Sequence, residues 1–590
     1  MGLFKGLLQL LGEQDPCHKR RQSAAMRKMP FMAAAVIGLA AAGSHGASAQ
    51  SLKDGDGCDP YKNYSCLDAY LGTGVLERFF NYYRLEWGQG TAPADPNALS
   101  PNRSGWPRTP ATVPPMAYTE WPAGATQYIG VTRPNSVDSP LMAAIANTDA
   151  GKWMQDNHIQ VYGWVEPGFD LSTNPRGKGA NSPVSYTYSS NAAYLDQAVL
   201  YIERLPDTVQ TDHIDWGFRL SGLYGSDYRY TNSYGIASWQ FNEKNKAEGY
   251  DFPMMYVDIY DPFIMQGLNI RIGRYISIPD IEAQLAPNNL TYTHSLTYAW
   301  DNYTNTGIVA SLQVTKNLMV QIGLDDGTET PLWHAGRYEK NLYTAANAQT
   351  WLDNTYGPGA YTAPATNPIY SGGKFKVDPG NQPSVAFCVQ YKWNDGWDTL
   401  YPCIDGINNS EWGYNNIQWH GFTYYHKFNS EWHLDFEAYY LDEHNVLNNR
   451  NPIALATQAV GGTWDSPQYI PVNGSNIVYC PTATALTCNV WAVGVLTYLN
   501  YSPDPLNNYT LRLEWYDDPN GWRTGTGGST KYFDTSISWQ HWLSPQIEFR
   551  PEISYWSSFG TAAFNGNPEL GIPGNKKEMV EFASDVIIHF

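Results

Sequence analysis

The sequence predicts an all-β fold: a transmembrane antiparallel up-and-down β-barrel of about 16 strands, preceded by a short helical and proline-rich N-terminal segment. Three observations support it. Segments of about ten residues with alternating apolar and polar side chains recur along most of the chain, as in tilted strands that cross a membrane. An export signal opens the sequence. Aromatic residues make up 14% of the chain and charged residues only 16%.

The N-terminus has the three parts of a secretory signal peptide. Arg27 and Lys28 precede an apolar run at 31–42, and Ala47-Ser48-Ala49 offers small residues for cleavage. We therefore expect residues 1–49 to be a presequence and signal peptide that is cleaved near Ala49. No later segment reaches about 18 consecutive apolar residues, which argues against membrane-spanning helices. Export then leads to the periplasm, the outside, or a barrel in the bacterial outer membrane.

Residues 50–157 are predicted to form a separate periplasmic or plug segment. Apolar residues recur there at helical spacing and predict an amphipathic helix: Leu76, Phe79, Phe80, Tyr83 and Trp87. Ten prolines follow within residues 91–140, so this linker is neither a continuous helix nor a central strand. The sequence leaves open whether the segment lies in the periplasm or plugs the barrel.

Residues 158–590 are predicted to form the outer-membrane barrel. The alternating segments lie at 158–170, 194–205, 212–224, 252–260, 267–278, 305–315, 318–326, 384–394, 397–406, 416–427, 430–443, 490–501, 508–518, 530–542, 546–557 and 576–590. Long connections, such as 279–304 and 327–383, alternate with short ones, such as Phe428-Asn429. This rhythm is typical of external loops and periplasmic turns.

The composition fits a barrel and limits the partners. The chain contains 22 Trp and 43 Tyr residues, which outer-membrane barrels place in girdles at the two membrane interfaces. Its formal net charge is −19, and removal of residues 1–49, with six Lys or Arg and two Asp or Glu, leaves about −23. Such acidity argues against nucleic acid or anionic headgroups as partners.

Six cysteines beyond the presequence form three short-range pairs. These are Cys58 with Cys66, Cys388 with Cys403, and Cys480 with Cys488. In an exported chain this pattern indicates disulfides. Zinc is the alternative, but no pair has CxxC spacing and no histidines cluster beside them, so we expect no metal.

One hairpin provides an internal check on the cysteine pairing. If Asp395-Gly396 forms a two-residue turn, as this dipeptide favours, Cys388 lies directly opposite Cys403. The same register places Phe387 and Tyr391 on the other face of the hairpin. We therefore expect this disulfide to face the lumen.

A second hairpin raises the question of a metal site. With Phe428-Asn429 as the turn, His420 opposes Glu437. Its polar face then carries His420, His426, Glu431, His433, Asp435 and Glu437, and its apolar face carries Trp419, Thr423, Tyr425, Trp432, Leu434, Phe436 and Ala438. Histidines and acids on adjacent strands could bind a metal. Alternate strand positions are about 6–7 Å apart and converge poorly on one ion, so we favour an ordinary water-filled wall.

The last eleven residues predict the closing strand. Val580, Phe582, Val586, Ile588 and Phe590 share one face, and Glu581, Asp585 and His589 lie on the other. In a closed barrel such a strand pairs with the first strand. Phe590 resembles the sorting signal that the barrel-assembly machinery recognises in outer-membrane barrels.

Two groups of motifs resemble a known family. The first group is Arg271-Ile272-Gly273-Arg274-Tyr275, Ala286-Pro287-Asn288-Asn289, Tyr292-Thr293-His294-Ser295-Leu296-Thr297-Tyr298 and Thr306-Gly307-Ile308-Val309-Ala310. The second is Gly413-Tyr414-Asn415-Asn416, Tyr424-Tyr425-His426-Lys427-Phe428 and Trp432-His433-Leu434. Together they resemble the OmpL-like outer-membrane β-barrel porin family over most of residues 158–590. The resemblance implies a porin-like channel and specifies no solute.

The predicted function is a porin: a passive diffusion channel for small hydrophilic solutes, with a modest cation preference. Loop 279–304, which carries Asp280 and Glu282, is expected to fold inward as a constriction. Strand parity adds the other predicted lumen residues: Arg219, Arg271, Glu431, Asp435, Glu437, Arg512, Glu514, Glu548, Arg550 and Glu552. Charges of this kind set ion preference through the local potential.

Other partners and functions follow from the same fold. We expect contact with outer-membrane lipid and the barrel-assembly machinery, and a homotrimer by analogy with other 16-stranded porins. The sequence contains no GxSxG, HExxH, Walker or Rossmann motif, so we predict neither enzyme activity nor a cofactor. The alternatives are a surface-exposed binding or adhesive barrel and, more remotely, an outer-membrane hydrolase with scattered catalytic residues.

Overall fold

The computed structural model describes residues 68–86, 139–231, 237, 239–242, 246–276, 280–302, 304–327, 339–340, 343–368, 377–378, 383–408, 417–460, 478–504, 506–526, 530–544, 546–567 and 572–590. Several predicted features lie outside these residues: the presequence 1–49, Cys58 and Cys66, Trp87, and the Gly413-Tyr414-Asn415-Asn416 motif.

Long antiparallel strands account for most of the described chain. They are β1 (Ile159–Ser172), β2 (Ala193–Arg204), β3 (Asp215–Gly225), β4 (Gly249–Asp251), β5 (Met255–Asp261), β6 (Leu268–Ile276), β7 (Thr304–Thr315), β8 (Leu318–Asp325), β9 (Glu339–Lys340), β10 (Val377–Asp378), β11 (Ser384–Trp393), β12 (Asp398–Ile407), β13 (Gln418–Lys427), β14 (Trp432–Leu447), β15 (Thr487–Asp504), β16 (Asn507–Asp518), β17 (Thr530–Ser544), β18 (Ile547–Ser558) and β19 (Glu578–His589).

These strands close into the predicted barrel. β1 pairs with β2 on one side and with β19 on the other, and β8 pairs directly with β11. β4 and β5 both pair with β3, so they are two pieces of one barrel strand. β9 and β10 pair only with each other. The prediction of a closed antiparallel barrel of 16 strands is confirmed, and each predicted strand is present.

Side chains alternate between the inside and the outside of the barrel. On β19, Glu581 and Asp585 are buried inside, whereas Val580 and Phe582 are exposed on the outer surface. The period of two therefore gives each strand one apolar outer face and one polar inner face, as a lipid-facing wall requires.

The connections differ between the two ends of the barrel. Two-residue links join β7 to β8, β15 to β16 and β17 to β18 at one end. At the other end the connections 277–303, 326–383 and 448–486 are long. This alternation follows the predicted rhythm of periplasmic turns and external loops.

A helical segment precedes the barrel. Its helices are Asp68–Leu71, Val75–Glu86, Pro140–Ile145 and Asp149–Asp156. The predicted helix is confirmed, and its apolar stripe is divided: Leu76 is 74% exposed and Phe80 60% exposed, whereas Phe79 and Tyr83 are half-buried. Arg78 and Tyr82 are buried instead. The Arg78 guanidinium donates to the carbonyl of Ala143 (2.7 Å), which turns this face toward the next helix.

The helical segment contacts the seam between the first and last strands. The pairing of β1 with β19 begins only at Trp164, so the first residues of β1, including Val161, extend past the end of β19. The Val161 N–H donates to the sulfur of Met142 (3.3 Å), and its carbonyl accepts from Ser139 Oγ (3.2 Å). The Tyr83 hydroxyl donates to the carbonyl of His589. These contacts satisfy backbone groups that would otherwise form an open sheet edge.

The described chain has further helices. Short ones span Trp239–Asn242 and Leu296–Ala299, and longer ones Ala345–Tyr356 and Pro452–Ala459. The 3-10 helices are Ser226–Tyr230, Ala286–Asn288 and Asn394–Gly396. Within the residues described, no helix has the length and hydropathy needed to cross a bilayer.

The register of the cysteine hairpin is as predicted. Cys388 lies opposite Cys403 and forms a disulfide with it, and both side chains are buried inside the barrel. The connection is the predicted two-residue turn, because the Trp397 N–H donates to the Asn394 carbonyl (3.1 Å) and Asp395 and Gly396 lie between them. Asp395 has a φ of 55° and Gly396 a φ of 87°. Cys480 and Cys488 form a second disulfide.

The predicted register of the β13–β14 hairpin is wrong. His420 pairs with Tyr440, and it is Thr423 that pairs with Glu437. The connection is longer than two residues, because Asn429 Oδ1 accepts from the N–H groups of Glu431 and Trp432.

An odd shift in register reverses the two faces of β13. His420 and His426 therefore lie on the outer face of the barrel, and Trp419, Thr423 and Tyr425 point inward. Glu431 lies in the exposed turn, so its assignment to the lumen is also wrong.

Candidate functional site

The segment between β6 and β7 enters the barrel. We call residues 280–302 the inward segment, and every residue in it is buried. Its short helix Leu296–Ala299 begins at Ser295, whose Oγ accepts from the N–H of Tyr298 (3.0 Å). The segment lies within the predicted loop 279–304.

Arg550 on β18 binds the backbone of the inward segment. Its Nη1 donates to the carbonyls of Ala286 (2.8 Å), Asn289 (2.9 Å) and Thr291 (3.1 Å). The same guanidinium donates to Asp585 on β19. A wall arginine thus holds three backbone carbonyls of the inward segment through charge-assisted hydrogen bonds.

Thr293 in the inward segment is held by two further wall residues. The Glu552 carboxylate on β18 accepts from the Thr293 N–H (2.9 Å) and hydroxyl (2.5 Å). The Arg512 guanidinium on β16 donates to the Thr293 carbonyl (2.6 Å). Arg512 also pairs with Asp534 on β17 (2.5 Å).

The short helix of the inward segment rests on an acid. Glu514 on β16 accepts from the N–H of Leu296 (3.0 Å) and from the hydroxyl of Thr297 (2.6 Å). This carboxylate satisfies N–H groups in the first turn of the helix, which have no partner within it.

Glu282 links two parts of the inward segment to each other and to the barrel wall. Its carboxylate accepts from the N–H (3.1 Å) and the hydroxyl (3.0 Å) of Ser295, and from the hydroxyl of Tyr498 on β15. Glu282 is therefore a structural anchor as well as a charge in the interior.

The two ends of the inward segment meet at one place on the wall. Asp280, Asp301 and Glu437 on β14 offer carboxylate oxygens that all lie within 4.8 Å of one another. The Ile281 N–H donates to Glu437 (2.9 Å), and the Trp419 indole N–H donates to Asp301 (3.0 Å). We call Asp280, Asp301 and Glu437 the acidic triad.

Two other segments pack against the inward segment. Tyr186, in the connection between β1 and β2, stacks on His294 with ring centroids 3.6 Å apart. The other side of Tyr186 stacks on Tyr230, at 4.1 Å. Burial lowers the pKa of His294 to about 3, so this ring is neutral at neutral pH.

The remaining predicted lumen residues lie on the inner wall away from the inward segment. Arg219 pairs with Glu203 (2.6 Å), and Arg271 pairs with Asp258 (2.9 Å). Asp435 accepts from Asn500 (2.9 Å), and Glu548 accepts from Gln540 (2.6 Å). These residues are all buried.

Sequence reasoning missed Asp301 and Arg523. The Arg523 guanidinium donates to the carbonyl of Trp300 (2.6 Å) and to that of Asp301. Neither residue lies on a strand, so strand parity does not find them. The signal that was available for Asp301 is its position in the same predicted loop as Asp280.

The interior is acidic. Among the residues that the structure describes, buried Asp and Glu outnumber buried Lys and Arg by more than two to one. Arg512 and Arg550 are bound to wall acids and to the inward segment, so much of their charge is compensated locally. Among the described residues, no ion pair joins a base to a carboxylate of the acidic triad, and the Arg523 guanidinium contacts the Asp301 carbonyl.

The comparison with protein families agrees with a barrel. Residues 158–590 match the family model described as "Putative beta-barrel porin-2, OmpL-like". No curated protein matches the chain. Among solved structures, the outer membrane channel DcaP of Acinetobacter baumannii is 11% identical, with 73% of this chain and 97% of that chain covered and a TM-score of 0.40.

Two further solved structures have similar values. The anion-selective porin from Comamonas acidovorans is 11% identical, with 73% of this chain and 99% of that chain covered and a TM-score of 0.36. Salmonella typhi OmpF, in complex with daunomycin, is 9% identical, with coverages of 73% and 97% and a TM-score of 0.38. The family match spans most of the chain, and this protein therefore belongs to the OmpL-like β-barrel porin family.

Proposed function

We propose that the protein is a passive diffusion channel for small hydrophilic solutes, with the inward segment as its constriction. Membership of a porin family supports transport. The observation that carries the constriction is the anchoring of residues 280–302 to the inner wall by Arg512, Glu514, Arg550 and Glu552. A segment fixed in this way narrows the lumen.

We further propose a modest preference for cations. Acids exceed bases in the interior, and charges along a narrow aqueous path are only partly screened at about 0.15 M salt, where the Debye length is roughly 8 Å. The paired arginines reduce the field without reversing it. The preference is therefore expected to be partial.

Planar-bilayer recording of the purified barrel tests both proposals. We expect discrete single-channel steps, and reversal potentials across a salt gradient that favour cations. Anion preference would contradict the proposed role of the interior acids. Absence of conductance would contradict the channel itself.

Membership of this family also supports proposals about the location and the partners of the protein. We propose that the barrel sits in outer-membrane lipid after insertion by the barrel-assembly machinery, that it forms a homotrimer, and that it has no enzyme activity. The helices at the seam would then lie on the periplasmic side, because they contact the end of the barrel where β1 begins.

The second candidate function is a surface-binding barrel. The stacking of Tyr186 between Tyr230 and His294 joins three segments inside the barrel, and this favours a lumen closed to solutes. In that case the long connections at the external end would bind a ligand, and the bilayer recording would show no conductance.

A further inference from the structure

The acidic triad places three carboxylates together inside the barrel. Asp280 is 5% exposed, Asp301 is fully buried and Glu437 is 1% exposed. Among the described residues, no lysine, arginine or histidine forms an ion pair with these three carboxylates. Glu552, which also holds the inward segment, differs from the triad because it forms an ion pair with Arg512 (3.3 Å). Three buried carboxylates of like charge repel one another unless a cation or protons intervene.

Two oxygen atoms of the triad also lack a hydrogen-bond donor. Asp280 Oδ1 and Glu437 Oε1 are both buried, and neither accepts a hydrogen bond from an N–H or hydroxyl group of the described residues. Buried carboxylate oxygens normally accept hydrogen bonds, so these two oxygens are available to a bound ion. The other Glu437 oxygen accepts from the Ile281 N–H, which fixes the direction of the carboxylate.

We propose that the acidic triad binds a divalent cation, with calcium as the preferred ion. Calcium takes oxygen ligands at 2.3–2.6 Å, so ligands on opposite sides of the ion are roughly 4.6–5.2 Å apart. The triad oxygens all lie within 4.8 Å of one another, which is inside the largest separation that two ligands of one calcium ion can have. Carboxylates can bind calcium through one or both oxygens, and water completes the shell. Magnesium requires shorter distances and keeps more of its water.

The position of the site gives the ion a structural role. Asp280 lies at the start of the inward segment, Asp301 at its end, and Glu437 on β14. A bound calcium ion joins the two ends of the segment to each other and to the barrel wall. The proposed calcium site does not depend on the proposed channel function, since it rests on the geometry of the triad alone.

Terbium luminescence tests the site directly. The Trp419 indole nitrogen lies 3.0 Å from an Asp301 oxygen, so excitation of tryptophan should sensitise a Tb³⁺ ion bound at the triad. With folded barrel in detergent, we expect saturable Tb³⁺ emission that Ca²⁺ displaces at a concentration at least tenfold lower than Mg²⁺. Asp280→Asn and Glu437→Gln should each weaken Tb³⁺ binding at least tenfold.

A matched control lies on the same strand. Asp442 on β14 pairs with His444 (3.0 Å) on the outer side of the barrel, so Asp442→Asn should leave Tb³⁺ binding unchanged. Emission that survives the two triad substitutions, or that never saturates, would show that terbium binds elsewhere and would overturn the proposal.

Thermal unfolding of the wild-type barrel gives an independent test that needs no variant. We expect a higher unfolding midpoint in Ca²⁺ than in EDTA, because the ion binds only the folded state. Equal midpoints would mean that protons neutralise the triad and that no ion binds. Asp280→Asn should melt above the wild type in EDTA, where it relieves repulsion, and should lose the response to Ca²⁺.

Discussion

Gly163 and Phe590 exchange two backbone hydrogen bonds across the seam of the barrel. The Gly163 N–H donates to the Phe590 carbonyl (3.0 Å), and the Phe590 N–H donates to the Gly163 carbonyl (2.8 Å). A Cβ atom on Gly163 would lie 1.9 Å from the carbonyl oxygen of Val199 and 2.9 Å from the Phe590 ring. The glycine therefore permits the close approach of β2 and of the last residue at the same point.

The first prediction concerns this contact. Gly163→Ala should destabilise the barrel by about 1–3 kcal/mol, the usual effect of overpacking, because backbone on β2 must move. The temperature at which the compact form converts to the unfolded form on a denaturing gel measures this loss.

Gly222 on β3 provides the control for Gly163. A Cβ atom there would meet only the Phe252 ring, at 3.7 Å, so Gly222→Ala should leave the conversion temperature unchanged. Equal effects of the two substitutions would mean that the seam imposes no special constraint at Gly163.

The second prediction separates anchoring of the inward segment from wall stability. Arg550→Met removes three hydrogen bonds to the segment and leaves Asp585 without its base. Breaking a buried pair costs about 3–5 kcal/mol. We also expect larger and noisier single-channel conductance, because the segment loses an anchor.

Arg219→Met is the matched variant for Arg550. It breaks the buried pair with Glu203 on the neighbouring strand, away from the inward segment. It should lower stability to a similar extent while the conductance stays at the wild-type value. Unchanged conductance in both variants would contradict the proposed constriction.

The two hairpins show how far sequence reasoning reaches. Strand periodicity predicted both hairpins, but register depends on the length of the turn. At β11–β12 the register set by the Asp395-Gly396 turn was right, and the cysteine pair provided an independent distance constraint that agreed with it. At β13–β14 no such constraint exists, and Asn429 forms a longer connection that dipeptide propensity does not reveal. One odd shift was enough to misplace His420 and His426.

The interior was predictable only in part. The alternation of side chains along a strand correctly predicted that four residues lie inside the barrel, because this alternation depends on the strand alone. They are Arg512, Glu514, Arg550 and Glu552. Their partners on the inward segment were not predictable, since they depend on the path of a loop with no period. The acidic triad joins Asp280 to Glu437, which is 157 positions further along the chain, and no local pattern indicates such a contact.

The third prediction concerns the disulfides. Non-reducing peptide mapping should recover Cys388 linked to Cys403 and Cys480 linked to Cys488. Cys488 is partly exposed, whereas Cys388 is buried, so mild reductant should open the Cys480–Cys488 bond first in the folded barrel. Equal rates would contradict the difference in access, and free thiols before reduction would contradict the pairing.

The fourth prediction concerns acid stability. His294 lies in the inward segment, outside the membrane-spanning strands, and burial lowers its pKa from 6.5 to about 3, with Arg512 and Arg550 adding to the effect. Below pH 6.5 the unfolded chain binds a proton at this residue that the folded barrel does not bind until about pH 3. His294 therefore removes stability as the pH falls through this window.

His294→Gln removes the titrating group and tests this effect. Its unfolding midpoint should fall less than that of the wild type between pH 7 and pH 4, whatever the other groups contribute, since they are common to both proteins. Parallel pH profiles would show that His294 is accessible to protons in the folded state.

The last prediction tests the charge of the constriction. Asp280→Asn with Glu282→Gln removes two acids from the inward segment and should reduce the cation preference, because the local potential becomes less negative. Reversal potentials in KCl with a chelator measure this change without a contribution from bound calcium. Glu431→Gln is the matched control: the sequence placed this acid in the lumen, but the structure places it in an exposed turn, so it should have no effect. If the double variant keeps the wild-type preference, the selective charges lie elsewhere on the wall. If Glu431→Gln changes it, ions reach the turn of β13–β14 on their path through the barrel.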